Sequence, residues 1–277
     1  MVKRIVSAVC CNVTFALRSP RFRSAVILYI FMLIYAIRYT FYIGQPVSYT
    51  FWNALTVNTE TFLLLICAMP SAALFAEDWC SGRFMYSYLR TKKLGYATST
   101  ILSTFIISAL VSIIAMSLYI IGLSFINPVI GDVEDMNYCI QTMMTTNGEL
   151  LINGHIFSYY ALAVLTYSCF MGTMSAFGAL LSVWLTNPYI AMVSPIVLIK
   201  LFEIPVLLFH LPPLIEPRVA FSLMNHPYHI LIDGSGYGVH IISTLFPYFY
   251  ALVCLTVIIF LAYILIERKY AANSDTR

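Results

Sequence analysis

The chain has 277 residues, of which 61% are hydrophobic and only 10% charged, with a formal net charge of +3. Its mean hydropathy of +0.86 is too apolar for the surface of a water-soluble domain of this length. These values exclude a soluble globular enzyme, make nucleic acid an unexpected partner, and indicate an integral membrane protein with lipid as its main surroundings.

The first 23 residues carry Lys3, Arg4, Arg18, Arg21 and Arg23 around Ile5, Val6, Val9, Phe15, Ala16 and Leu17. That pattern predicts an amphipathic helix lying in the membrane interface, broken at Pro20. A cleaved signal peptide fits less well, because the apolar region of residues 1–11 is too short and lacks a small-residue cleavage pattern.

A helix needs about 20 apolar residues to cross the roughly 30 Å of a bilayer core. Six runs of that size follow, at about 24–43, 52–75, 96–125, 155–185, 189–209 and 241–266. They are continuous and show no ten-residue alternation, so they predict helices rather than barrel strands. The expected fold is an all-α integral membrane protein, a single transmembrane domain over residues 1–277.

Helix breakers fall within two of these runs. Pro70 in the second, and Pro195 and Pro205 in the fifth, predict kinks or broken helices. The fourth run carries Gly172, Ser175, Ala176 and Gly178, a small-residue face suited to close packing of neighbouring helices. The segment 210–240, with Pro212, Pro213, Pro217, Pro227, Asp233, Gly234 and Gly236, predicts an irregular or re-entrant structure at the outer surface.

Orientation follows from the basic residues. With six spans, the N-terminal cluster, Arg83, Arg90, Lys92, Lys93, Arg268, Lys269 and Arg277 share one side with the turn at 186–188. The 126–154 loop on the other side holds Asp132, Glu134, Asp135 and Glu149 with no Lys or Arg, and 210–240 holds only Arg218. The positive-inside rule then puts both termini in the cytoplasm of a multi-pass protein of the cell membrane, with a bacterial plasma membrane expected.

Cysteine use suits that placement. Of seven cysteines, Cys10, Cys11 and Cys80 fall on the cytoplasmic side, Cys67, Cys169 and Cys254 within runs, and Cys139 alone outside, where it has no partner for an internal disulfide. Cys10 and Cys11 fit either acylation or simple interfacial residence.

Motifs for catalysis are absent. The sequence has no phosphate-cradling Gly-x-x-x-x-Gly-Lys loop, no Gly-x-Ser-x-Gly, no His-Glu-x-x-His and no Cys-x-x-Cys. His226, His229 and His240 are the nearest approach to a metal site, but Pro227 opposes a shared helical face and no carboxylate or thiolate is close in sequence. No catalytic residue, metal or cofactor is assigned to this chain.

Four ionisable residues interrupt the apolar runs: Arg38, Glu60, Lys200 and Glu203. Each costs about 2.5–3.5 kcal/mol on insertion scales, so each needs protein, water or a partner around it. Arg38 and Glu60 fall at similar depth near the outer ends of the first two spans, and Lys200 and Glu203 lie three apart on one helix. They line a substrate path or fix helix register.

A charged island at 77–96 separates the second and third runs. It opens with Glu77 and Asp78, passes Gly82, continues through Arg83, Phe84, Met85, Tyr88, Leu89 and Arg90, and closes on Thr91, Lys92 and Lys93 before Tyr96. Acids at the start and bases at the end suit the dipole of one short amphipathic helix. Such a helix rests on the membrane surface or lies in a partner's groove.

This arrangement resembles the permease subunits of ABC-2 type (type V) ABC transporters. There, the loop between spans two and three begins with an acidic residue, has a Gly four or five positions on, continues as an apolar helix and ends in a Thr-Pro turn before a Tyr. The N-terminal interfacial helix, six spans, kinked fifth span and outer re-entrant segment extend the resemblance over the chain. Lys92 stands where Pro is usual, and Thr98 or Ser99 where Gly-Lys often follows. The resemblance implies a coupling helix over 77–93 that docks on a separate ATP-binding subunit through Glu77, Asp78, Gly82, Arg83, Leu89 and Arg90. It further implies two permease and two ATPase subunits, with ATP and Mg held by the latter, and export of a hydrophobic or amphipathic cargo such as a peptide, lipid or drug. An ion-coupled secondary transporter would need coupling sites and internal repeats, and an intramembrane hydrolase would need a nucleophile or metal set within the spans.

Overall fold

The computed structural model describes residues 2–38, 41–56, 59–131, 148–185, 187–209, 217, 221 and 237–274. Among these residues every regular element is a helix. Four helices are long and apolar enough to cross a membrane, and a bent pair makes up to five, which is the make-up of a multi-pass membrane protein.

Helix α1 (Val2–Arg18) ends where Ser19 turns extended, at φ −71 and ψ 147, and Ser19 Oγ accepts the Phe22 N–H at 3.2 Å. Pro20, whose fixed φ suits a first helical position, then opens α2 (Pro20–Ile37). Ile5, Ala8, Val9, Asn12, Val13 and Ala16 form the covered stripe of α1, while Lys3, Arg4 and Arg18 are exposed. That stripe packs on the long sixth helix, where Asn12 donates to Ser103 Oγ at 3.2 Å.

The first run is shorter than expected. Its helix ends at Ile37 rather than 43, because Arg38 caps it and 41–46 is non-helical. The second run, expected as one span over 52–75, is instead two helices, α3 (Val47–Thr56) and α4 (Glu60–Ala68), bent by 77°. Pro70 does not kink a continuous helix. It sits in a turn over 69–73, after which α5 (Leu74–Cys80) begins, because a proline in α4 would clash with the preceding turn and lack a donor. Trp52 holds the bent pair to the core by donating to the Tyr159 hydroxyl at 2.5 Å.

Helix α6 (Arg83–Ser124) carries the second half of the island into the third span across a kink at Lys92, and its apolar part is Thr91–Ser124 rather than 96–125. Its buried Ser99, Thr100, Ser103, Thr104, Ser108 and Ser112 form a polar seam inside an apolar bundle. Each hydroxyl has a partner there: Ser108 donates to the Cys67 carbonyl at 2.8 Å, Thr104 to the Ser71 carbonyl at 3.2 Å, and Ser112 lies 3.3 Å from the Tyr29 hydroxyl. Such bonds between helices are worth roughly 0.6–2 kcal/mol each in a membrane.

After the short α7 (Gly148–Ile152), helix α8 (Ile156–Leu185) forms the middle of the bundle, with 72% of its apolar window buried. The small-residue face is spent on packing within the chain. A Cβ on Gly172 would lie 2.8 Å from the Phe105 carbonyl oxygen of α6, and one on Gly178 would lie 2.7 Å from the Ala191 carbonyl oxygen. Ala191 belongs to α9 (Pro188–Phe209), and α10 (Tyr237–Ser274) closes the bundle. The apolar part of α10, Leu245–Lys269, starts later than expected, and its helix continues well past the expected end at 266. Of the segment 210–240 expected as irregular or re-entrant, only 217, 221 and 237–240 are described, and 237–240 is helical, the start of α10; the acidic loop residues 132–135, Cys139, Arg218, His226 and His229 lie outside the described residues.

Candidate functional site at the basic end of the bundle

The island is two helices, not one. Glu77 and Asp78 belong to α5, and Gly82 at φ 72 separates them from the segment 83–91 that opens α6. Nothing lies within 4 Å of a Cβ built on Gly82, so the requirement for glycine there is conformational: the left-handed backbone strains any side chain. The single-dipole picture of acids leading and bases trailing is thereby corrected.

A second left-handed residue bounds the far end. Lys92, at φ 64 and ψ 171, is the non-helical point inside α6. Those angles lie in a region that only glycine visits without strain, at a cost of order 1–3 kcal/mol for other residues. Proline, which the ABC-2 resemblance expects at this position, cannot adopt a positive φ at all. Residues 83–91 therefore form a short helical paddle with a break at each end.

One face of the paddle is buried in an aromatic nest. Phe84 packs against Trp79 at 4.9 Å, Tyr96 at 5.2 Å and Phe75 at 5.7 Å between ring centroids, and Tyr88 adjoins it at 5.3 Å. Several of these pairs meet edge to face or tilted, the arrangements the ring quadrupoles favour. The opposite face is open: Tyr86 is 81% exposed, Leu89 72% and Met85 40%. Arg83 and Lys92 are exposed beside them, and the Arg90 side chain lies outside what the structure describes.

Polar contacts tie the nest, built on α5 and α6, to α2, α8 and α10. Glu77 pairs with Arg21 at the start of α2, and Tyr96 of α6 donates to Asp78 Oδ2 at 3.1 Å. Arg83 Nε donates to Ser81 Oγ at 3.0 Å and stands 3.6 Å from Asp78 Oδ1. Lys93 meets Glu267 of α10 at 2.8 Å, and Lys269 of α10 donates to the Val183 carbonyl of α8 at 2.8 Å. The Lys269 ammonium also lies 4.9 Å from the Trp79 ring centroid and 5.7 Å from that of Phe75. Burial raises the Asp78 carboxyl above its ordinary value, the Tyr96 hydrogen bond and Arg83 draw it back, and Glu77 adds a smaller rise.

Thus Glu77, Asp78, Gly82, Arg83 and Leu89 are gathered at one end of the bundle, with Leu89 outward, Asp78 turned to Tyr96 of the nest and Glu77 to Arg21. Arg21, Trp79, Glu267 and Lys269 belong to the same junction and lie too far apart in sequence for spacing to connect them. The basic residues at 268–269 and the aromatics at Phe75, Trp79, Phe84, Tyr88 and Tyr96 were the available signals.

The intramembrane charges lie elsewhere. Arg38 caps α2, with its guanidinium carbon 3.5 Å from the Tyr35 ring centroid, and Glu60 opens α4. Lys200 Nζ donates to Glu203 Oε2 at 2.6 Å on α9. His155 is exposed just before α8, and the described residues contain no group of three or more His, Cys, Asp or Glu placed to hold a metal. No protein-family model, no curated protein and no solved structure matches the chain.

Proposed function

We propose that this chain is the membrane-spanning permease subunit of an ATP-driven transporter of the ABC-2 kind, and that the paddle at 83–91 is where a separate ATP-binding subunit docks. In this reading α2, the bent pair α3–α4, α6, α8, α9 and α10 are the six spans. The basic end faces the cytoplasm of a bacterial cell, and two permeases act with two ATPase subunits that hold ATP and Mg. The chain itself performs no hydrolysis. Its cargo is hydrophobic or amphipathic and travels outward.

The observation that carries the reading is the open apolar face of Met85, Tyr86 and Leu89 on a segment whose other face is clamped into the bundle. An apolar helix face outside the lipid calls for a groove to cover it. A displacement of the paddle would pass through Phe84 and Asp78 to α5, through Arg21 to α2, and through Lys93 and Glu267 to α10. The junction thus joins a surface event to several spans at once.

The test is copurification with candidate ATP-binding subunits, followed by coupled ATPase activity in a reconstituted complex. Arg83→Glu, Arg90→Glu and Leu89→Asp should each reduce association by tenfold or more; Arg90→Glu and Leu89→Asp should leave the thermal midpoint of the chain unchanged, and Arg83→Glu should lower it by setting a carboxylate beside Asp78. Undiminished association and coupling in all three variants would overturn the proposal.

A further inference from the structure

We infer that the elbow between α1 and α2 binds an anionic phospholipid, with Arg18 and Arg23 on its headgroup and the outer row of α2 along its acyl chain. The inference rests on the reading above only in taking α2 as a span. The chain carries six basic residues before its first acid, Glu60. Three of them, Arg18, Arg21 and Arg23, fall within six residues around Pro20. Arg21 pairs with Glu77. Arg18 and Arg23 are exposed, and neither side chain meets a carboxylate among the described residues.

Depth follows from α2 itself. Its 18 residues span about 27 Å, close to the roughly 30 Å of a hydrocarbon core, so its first turn lies at one boundary. Arg18 then falls at the level of the lipid phosphates, and Arg23, one turn inside, reaches that level by extending its side chain outward. Arg23 also heads a row on α2. Ile27, Phe31 and Ile34 follow it at helical spacing on the same face, 67%, 60% and 54% exposed. A guanidinium at the foot of an acyl-facing row takes its counter-charge from the lipid, since Glu77, which reaches the elbow, is taken by Arg21.

The chemistry selects the lipid. Both positions are arginine, whose planar fork grips a phosphate through two hydrogen bonds. A net negative headgroup adds an attraction on the order of fivefold per base near the surface, whereas a zwitterionic one brings its own cation against the arginines. Phe15 and Leu17, exposed on the last turn of α1, give apolar contact beside the headgroup. Free phosphate would make no use of the apolar row, and a soluble acidic protein would leave it uncovered. The backbone of the first turn is not called on, because the Phe22 N–H is already taken by Ser19 Oγ. Arg21 stands between the two arginines on Glu77, which places the headgroup beside the candidate docking junction.

The experiment uses the full chain in mixed micelles, with dioleoylphosphatidylglycerol and dioleoylphosphatidylcholine added in equal amounts and the retained lipid counted by native mass spectrometry. The parent should retain the anionic lipid over the zwitterionic one by at least about tenfold. Arg18→Gln and Arg23→Gln should each reduce that preference by about fivefold, and the double variant should abolish it. Arg4→Gln, the same change at the far end of α1, should leave it intact, and inorganic phosphate in excess should not displace the lipid. Thermal midpoints in neutral lipid identify a variant that fails to fold. Arg18→Lys with Arg23→Lys then takes its place, keeping the charge and losing the fork, with a several-fold loss expected. In native membranes, Ile27→Cys with Cys10, Cys11 and Cys80 replaced by Ser should give no thiol crosslink to protein. Equal retention of the two lipids by the parent, or a preference unchanged in the double variant, would overturn the inference. So would a loss in Arg4→Gln as large as in the double variant, displacement by inorganic phosphate, or an Ile27→Cys crosslink to another chain. None of these measurements involves an ATPase subunit, so the docking proposal stands or falls separately.

Discussion

Gly172→Ala adds one methyl group where two helices leave no space for it. The new Cβ would lie 2.8 Å from Cδ2 of Phe105 and 2.8 Å from its carbonyl oxygen. The ring can swing aside, but the carbonyl belongs to the backbone of α6 and moves only with that helix. Reaching the lower edge of ordinary contact at 3.4 Å requires a separation of about 3.4 − 2.8 = 0.6 Å. Overpacking of this kind costs about 1–3 kcal/mol. Against it stands the better helix propensity of alanine, at most about 1 kcal/mol. The net expectation is a loss of about 1–2 kcal/mol, roughly a 5- to 30-fold fall in the folded-to-unfolded ratio. Gly122→Ala makes the same chemical change in α6 where nothing lies within 4 Å, so it should be neutral or stabilising. Reversible unfolding in mixed micelles, followed by tryptophan fluorescence, reads both variants against the parent. A Gly172→Ala protein as stable as the Gly122→Ala protein would refute the close approach of α6 and α8.

Two other predictions concern the junction. Because burial raises the Asp78 carboxyl in the fold, the folded chain holds this proton more tightly than the unfolded chain does. Its contribution to stability is therefore greatest below the ordinary carboxylate value and is lost as pH rises through that value to the raised one. Asp78→Asn keeps an acceptor for Tyr96 and cannot ionise, so its thermal midpoint should gain on that of the parent across this window; a gap independent of pH would contradict the assignment. At Lys92, Lys92→Gly should raise stability by about 1–3 kcal/mol by relieving the positive φ, and Lys92→Pro should lower it by a similar amount or more, both read by the same unfolding assay. Equal stability of the two variants would count against a left-handed backbone at that point.

Much of the fold was legible because hydrocarbon imposes a one-dimensional rule. A helix that must bridge the bilayer needs a continuous apolar run, and the run at 155–185 matches the membrane-length α8 (Ile156–Leu185) to within a residue, while the run at 189–209 matches α9 (Pro188–Phe209) in its extent as a helix. Local chemistry was equally readable at Ser19 and Pro20, where a capping hydroxyl and a fixed φ end one helix and begin the next. One span is expected over 52–75 because averaged hydropathy absorbs the short polar stretch 56–61 and does not register direction, yet the chain bends between α3 and α4 and turns again at Pro70. The island was misread as one helix because charge order follows sequence, whereas Gly82 and Lys92 change the direction of the backbone by their dihedral angles.

The sequence by itself determined that this is a multi-pass helical membrane protein, that its basic residues gather at one end, and that a charged, amphipathic segment follows the second apolar run. Each of these depends on composition or on residues close along the chain. Only the tertiary structure decided that Arg21, Glu77, Lys93, Glu267 and Lys269 meet around one aromatic nest, that Gly172 and Gly178 admit neighbouring backbones, and that Lys200 and Glu203 face outward. Those facts depend on which helices are neighbours and how each is rotated. In an apolar chain nearly every face of a helix is oily enough to touch lipid or protein, so hydropathy leaves the rotation open and packing settles it.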